Sequence, residues 1–93
     1  MSKTASAVVT VANKLGLHAR PATLFVQLAS DSDSDITVRR TDQDGSVNGK
    51  SVMQMMMLAA TQGTKIEITA DGADAKEAVA TLVQLVKSGF QED

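Results

Sequence analysis

The sequence predicts an α+β fold, with a four-stranded sheet covered on one face by helices. Three observations predict it. Residues 5–11, 36–41 and 65–70 alternate between apolar and polar side chains, as strands with one buried face do. Residues 19–29 and 75–88 carry apolar side chains at helical spacing. The elements run β-α-β-β-α-β-α, and a sheet layered against helices buries every apolar face and stripe that this order creates. A chain of 93 residues suffices for one domain, spanning residues 1–93, and no internal repeat or second domain is visible.

The first strand directs Ala5, Ala7, Val9 and Val11 one way and Ser6, Val8 and Thr10 the other. Residues 13–18 contain Gly16 and read as a loop. The first helix follows over 19–29, with Pro21 in its first turn, where a missing N–H costs little. Leu24, Phe25 and Leu28 are expected to face the core. Residues 30–35 alternate Ser and Asp and read as a solvated acidic linker. Asp44-Gly45 is a turn signal between the second strand and a short third strand over 46–48. Ser51 opens a second helix, expected to reach Ala60. After the fourth strand, Asp74 and Glu77 have the spacing of a capping box. The last helix should bury Ala75, Ala78, Val79, Leu82 and Val86 and stop at Gly89.

Composition removes several functional classes. The formal net charge is −2, which argues against a general nucleic-acid binder, since that needs a basic face to neutralise phosphates. Aromatic residues make up 2% of the chain, too few for base-stacking platforms. With no cysteine and one histidine, a disulfide scaffold, a thiolate or histidine metal site and a cysteine nucleophile are excluded. No apolar run approaches a membrane span, and the N-terminus lacks the form of a signal peptide. The expectation is a cytoplasmic monomer that neither binds nucleic acid nor inserts into membranes, without metal or cofactor.

The lone histidine, His18, falls in the loop or at the cap of the first predicted helix. A helix N-terminus presents backbone N–H groups and a partial positive charge. An anionic group acquired by an imidazole nitrogen there would be received by those N–H groups and by Arg20, whose fork suits phosphate oxygens. The neutral imidazole is the nucleophilic form. The arrangement suits carriage of a phosphoryl group on nitrogen, although position alone favours a plain surface helix cap without chemistry. No Ser/His/Asp set and no carboxylate pair in a shared cleft is evident.

The segment Gly16-Leu17-His18-Ala19-Arg20-Pro21-Ala22 resembles the phosphorylation-site motif of the HPr family. These are the histidine phosphocarriers of the bacterial phosphoenolpyruvate-dependent phosphotransferase system. Val47-Asn48-Gly49-Lys50-Ser51-Val52-Met53 resembles the family's regulatory serine segment. The resemblance implies an open-faced β-sandwich whose antiparallel sheet runs first, fourth, second, third strand, with three helices on one face. It implies that His18 takes a phosphoryl group from phosphorylated enzyme I on Nδ1 and passes it to an enzyme IIA domain for sugar uptake. A nitrogen-branch regulatory phosphocarrier is the alternative. Arg20 would pair with the phosphoryl group, and Asn13, Gly16, Leu17 and Pro21 would shape the site loop. Ser51 would be modified by HPr kinase/phosphorylase in bacteria that have one. The chain would be a substrate of phosphotransferases and not itself an enzyme.

Ser51 also has a simpler role as an N-cap, worth ~1 kcal/mol. A phosphate there would add roughly −1.5 to −2 charge at a helix N-terminus, where it is tolerated. The helix it opens holds Val52, Met53, Met55, Met56, Met57 and Leu58, more apolar residues than one face can bury. Helical angles alone bury Val52, Met55, Met56 and Ala59. The family pattern buries Met55, Leu58 and Ala59 instead, leaving Val52, Met53 and Met56 to dock partners beside His18. Flexible, polarizable methionines suit a surface that fits several partners. The 41–45 turn is about two residues longer than the family's, and a looser hairpin is expected.

Overall fold

The computed structural model describes residues 3–90. In chain order the elements are β1 (Thr4–Thr10), α1 (Ala19–Ser30), β2 (Asp35–Arg40), β3 (Ser46–Asn48), α2 (Val52–Met57), β4 (Lys65–Asp71) and α3 (Ala75–Lys87). The strands form one antiparallel sheet in the order β1-β4-β2-β3. This is the open-faced sandwich with three helices that the sequence implies. The outer strand β1 pairs with β4 from Thr4↔Asp71 to Thr10↔Lys65, and β4 pairs with β2 from Asp35↔Asp71 to Arg40↔Ile66.

Period-two alternation decides which face is covered. Val9, Ile36, Val38, Ile66, Ile68 and Ala70 point inward and are buried, while Val8, Thr37 and their neighbours face solvent. α3 lies on this inner face with the five residues of its predicted stripe buried. Each large side chain so enclosed contributes about 1.5–3 kcal/mol. α3 ends at Lys87 with Ser88 as C-cap, Gly89 follows at φ +71° as the expected stop, and Phe90 beyond it turns back into the core and is buried, its N–H bonded to Leu85 O at 3.0 Å.

In α1, Phe25 is buried and Leu24 and Leu28 pack half-buried against the core as expected, while the small residues Ala22 and Ala29 complete the stripe. Other local expectations are corrected. α2 stops at Met57, with Leu58 as C-cap, short of Ala60. Ala59 enters the left-handed region at φ 56°, which ends the helix and leaves Ala59 exposed while Ala60 turns inward. Arg40 Nη1 donates to Ala59 O at 3.1 Å and fixes this helix end.

The capping box on α3 does not form. Asp74 makes no side-chain cap bond and turns to the 30–35 segment. Its carboxylate accepts from Ser34 Oγ at 2.5 Å, Ser32 Oγ at 3.0 Å and the Asp33 N–H at 3.0 Å. Ser34, read as solvated, is fully buried by this contact. Lys50 Nζ donates to Ser32 O at 2.9 Å and ties the same segment to the β3–α2 turn. Nor is the 41–45 hairpin loose. Arg39 Nη1 donates to Gln43 O at 2.9 Å, and Arg40 grips Asp42 through Nε at 3.0 Å and Nη2 at 2.9 Å. That pair holds the Asp42 carboxyl below its ordinary value, through the hydrogen bond first and the charge second.

Candidate functional site

The site is built where the 11–17 loop meets the 60–64 loop. Val11 N–H donates to Thr64 O at 2.9 Å, Gly63 N–H to Val11 O at 2.8 Å, and Gln62 Nε2 to Ala12 O at 3.1 Å. Leu17 N–H then donates to Ala60 O at 2.9 Å. Between these anchors the chain turns back on itself: Gly16 N–H bonds Asn13 O at 3.2 Å, and Asn13 Nδ2 donates to Gly16 O at 2.8 Å. Asn13 is buried, so this side-chain bond forms out of competition with water.

Gly16 is required twice over. Its φ is +65°, and a Cβ built on it would lie 2.2 Å from Ala60 O and 2.7 Å from Thr61 Cα. Both obstacles are backbone, which has no rotamer to yield. The glycine therefore lets the two loops touch and sets the register of the two residues that follow.

Leu17 is buried and plugs the core, and His18 comes next as the N-cap of α1. Its φ −77° and ψ −172° are extended, and its side chain makes no capping bond. His18 O accepts the first helical bond, from Ala22 N–H at 3.0 Å. The ring is half-exposed, and Nε2 is buried. Ala19, exposed Arg20 and buried Pro21 make up the first turn. An anion on the His18 ring would meet the positive end of a helix of 12 residues, with the exposed Arg20 in its first turn. Thus Asn13, Gly16, Leu17, His18, Arg20 and Pro21 form one continuous loop-to-helix junction.

Ser51 is placed differently. It is the N-cap of α2, its Oγ accepting from Gln54 N–H at 3.3 Å. Gln54 Oε1 in turn accepts from Asn48 N–H at 2.8 Å, closing the β3–α2 turn. Ser51 thus stands at the opposite end of α2 from Ala60, the point at which that helix's exit is bonded to the site loop. α2 packs beside α1 and inserts Met55 into the core. Val52 is half-buried, and Met53 and Met56 are exposed.

Two further exposed apolar residues, which sequence reasoning left out of the docking set, lie on the site loop and on α2. Leu15 is 72% exposed at the tip of the loop, and Met57 is 74% exposed on α2. Leu15 could have been found as an apolar residue between Lys14 and Gly16 in a segment with no core to enter. Met57 could have been found from its position four residues after Met53, on the same outward face. The 60–64 loop carries no such signal, because its role is played mostly by backbone groups, with the Gln62 amide as the side-chain exception. A broad groove of about 570 Å³ between α1 and α3, lined by Leu28, Thr81, Gln84 and Leu85 among others, includes none of these site residues. Among the described residues, no cluster of three or more His, Asp or Glu could hold a metal ion. No helix among them is long and apolar enough to cross a membrane.

Fold and junction together define a phosphocarrier protein of the phosphotransferase system, as comparison with known proteins shows. The family model described as the PTS HPr component phosphorylation site matches residues 5–88. The phosphocarrier protein HPr of Neisseria meningitidis is 49% identical over 84 residues, covering 90% of this chain and 92% of that protein. The phosphocarrier protein NPr of Escherichia coli K12 is 37% identical over 90 residues, covering 97% of this chain and 99% of that one. Among solved structures, HPr of Thermoanaerobacter tengcongensis superposes with TM-score 0.88 at 43% identity, over 96% of this chain and 98% of that one. The chain belongs to the HPr family.

Proposed function

We propose that the chain, as one HPr-like domain, accepts a phosphoryl group from phosphorylated enzyme I on Nδ1 of His18 and passes it to an enzyme IIA domain. The observation that carries this reading is His18 at the N-cap of α1, its ring half-exposed and Nε2 buried. Burial of Nε2 favours Nδ1 as the nitrogen offered to a donor. The P–N bond to His18 forms as the bond to the donor breaks, and the reverse step delivers the group onward. Arg20 and the first-turn N–H groups offset the charge on the transferring group. The partners supply alignment, so the carrier is a substrate and not an enzyme. It acts in the cytoplasm as a monomer, without cofactor or metal. Val52, Met53 and Met56, with Leu15 and Met57, form the docking rim. Phosphorylation of Ser51 by an HPr kinase/phosphorylase would place charge at the α2 N-terminus and weaken docking.

The sugar-uptake branch is favoured by the 49% identity to the Neisseria HPr. The nitrogen branch is the second reading, because NPr relatives match at 37–40% over nearly the whole chain. The test is intact mass after incubation with phosphoenolpyruvate and enzyme I, before and after mild acid, with His18→Ala in parallel. One acid-labile phosphate, absent from the variant, is expected. Uptake by the variant would remove His18 from its role, and the relative rates with the two enzyme I types would assign the branch.

A further inference from the structure

Four of the five large apolar side chains exposed among the described residues lie on the site loop or on α2: Leu15, Met53, Met56 and Met57. Three of the four are thioethers on one helix. Met53 and Met57 are each 74% exposed and Met56 44%, whereas Met55 between them is fully buried. Core packing therefore accounts for Met55 alone. Met53 and Met57 share the outward face at a spacing of four residues. A thioether that is flexible and apolar is also a soft nucleophile toward peroxides, and reaction follows exposure.

We propose that Met53 and Met57, with Met56 beside them, form a reversible oxidation site that switches partner docking off. This rests on the phosphocarrier reading, since the docking it interrupts is that of the proposed phospho-donor and acceptor. The oxidant is a peroxide. The methionine sulfur attacks one oxygen of hydrogen peroxide, an S–O bond forms, and the O–O bond breaks. The leaving hydroxide takes the proton from the sulfur-bound oxygen and departs as water, leaving the sulfoxide. Sulfur is oxidised by two electrons, and the peroxide as a whole is reduced by two.

In the free protein each sulfoxide points into water and costs nothing in the core. In a complex it must be desolvated against a surface that expects an apolar group. The penalty falls on docking and not on folding. Methionine sulfoxide reductases reverse the change, so it is a switch and not a lesion. Met55, one residue away in sequence, is the internal control supplied by the fold.

The experiment exposes the full chain to graded hydrogen peroxide and removes it by gel filtration. Peptide mapping then quantifies the sulfoxide at each methionine. Phosphoryl transfer from enzyme I is measured as KM and kcat separately, and thermal melting is recorded by circular dichroism. Sulfoxide at Met53 and Met57 well before Met55 is expected, with KM raised about tenfold, kcat little changed and the melt unaltered. Treatment with the reductases should restore KM. A Met53→Leu/Met56→Leu/Met57→Leu variant, compared with its own untreated rate, should lose nothing to peroxide. Oxidation of Met55 in step with its neighbours, or an unchanged KM once Met53 and Met57 are oxidised, overturns the proposal. Failure of the untreated protein to take phosphate defeats the phosphocarrier reading itself and is seen in that arm alone.

Discussion

Replacing Gly16 by Ala tests the junction that positions His18. The new Cβ meets Ala60 O at 2.2 Å and Thr61 Cα at 2.7 Å, and the residue must also hold φ +65°. Left-handed backbone costs a residue with a Cβ about 1–2 kcal/mol. Relief of the clash separates the two loops and strains the Leu17 N–H to Ala60 O bond, worth about 1 kcal/mol. Overpacking against backbone adds about 1–3 kcal/mol. A loss of about 3–6 kcal/mol follows, or a fall in Tm of at least about 12 °C in a domain of this size. Gly63→Ala is the matched control, because Gly63 has φ +90° with nothing within 4 Å of its would-be Cβ. It should lose only the backbone part, about 1–2 kcal/mol. Urea and thermal unfolding of both variants give the difference. Equal losses for the two would refute the steric argument and the role of Gly16 as the point where the loops touch.

Ser51→Ala should cost about 1 kcal/mol by urea denaturation, since the Gln54 N–H loses its capping oxygen. Met55→Ala should cost about 2–5 kcal/mol by opening a cavity, whereas Met57→Ala should stay within about 0.5 kcal/mol; similar losses would contradict their opposite placement. The Ser34 hydroxyl, the Asp33 N–H and the Ser32 hydroxyl hold the Asp74 carboxyl down at about 2, below the ordinary 3.8. The folded state then binds fewer protons than the unfolded chain in that interval. The stabilisation is full above pH about 4 and is lost as pH falls toward 2. Asp74→Asn should therefore be less stable than the parent at pH 7 and show a flatter decline in acid unfolding.

Elements whose side-chain pattern states their burial were legible in the sequence. The α3 stripe and the three longer strands follow directly from spacing, because one face of each is apolar and the other is not. Legibility failed where backbone geometry or a distant polar group intervened. Nothing local distinguishes Ala59, whose positive φ ends α2, from a helical alanine. Asp74 has the spacing of a cap, yet two serines and an N–H from a segment some forty residues earlier offer its carboxylate more bonds than its own helix does. The candidate site divides the same way. His18, Arg20 and Gly16 stand out as residue types in a motif. The 60–64 loop beneath them contributes mostly carbonyls and N–H groups, which any sequence possesses, beside one side-chain amide from Gln62.

The sheet order has a consequence for the timing of assembly. The pairing runs from Thr4↔Asp71 to Thr10↔Lys65, so β1 finds its sheet neighbour among the described residues 55 to 67 residues later in the chain. Closing a loop of that length costs entropy, and folds with such non-local pairings form more slowly than helical bundles. The loop that presents His18 leaves β1 and is bonded to the segment just before β4. During synthesis the histidine is thus made early but seated late, after the residues of β4 have left the ribosome. A nascent chain halted before β4 holds the whole phosphorylation-site motif and none of the geometry that gives it meaning.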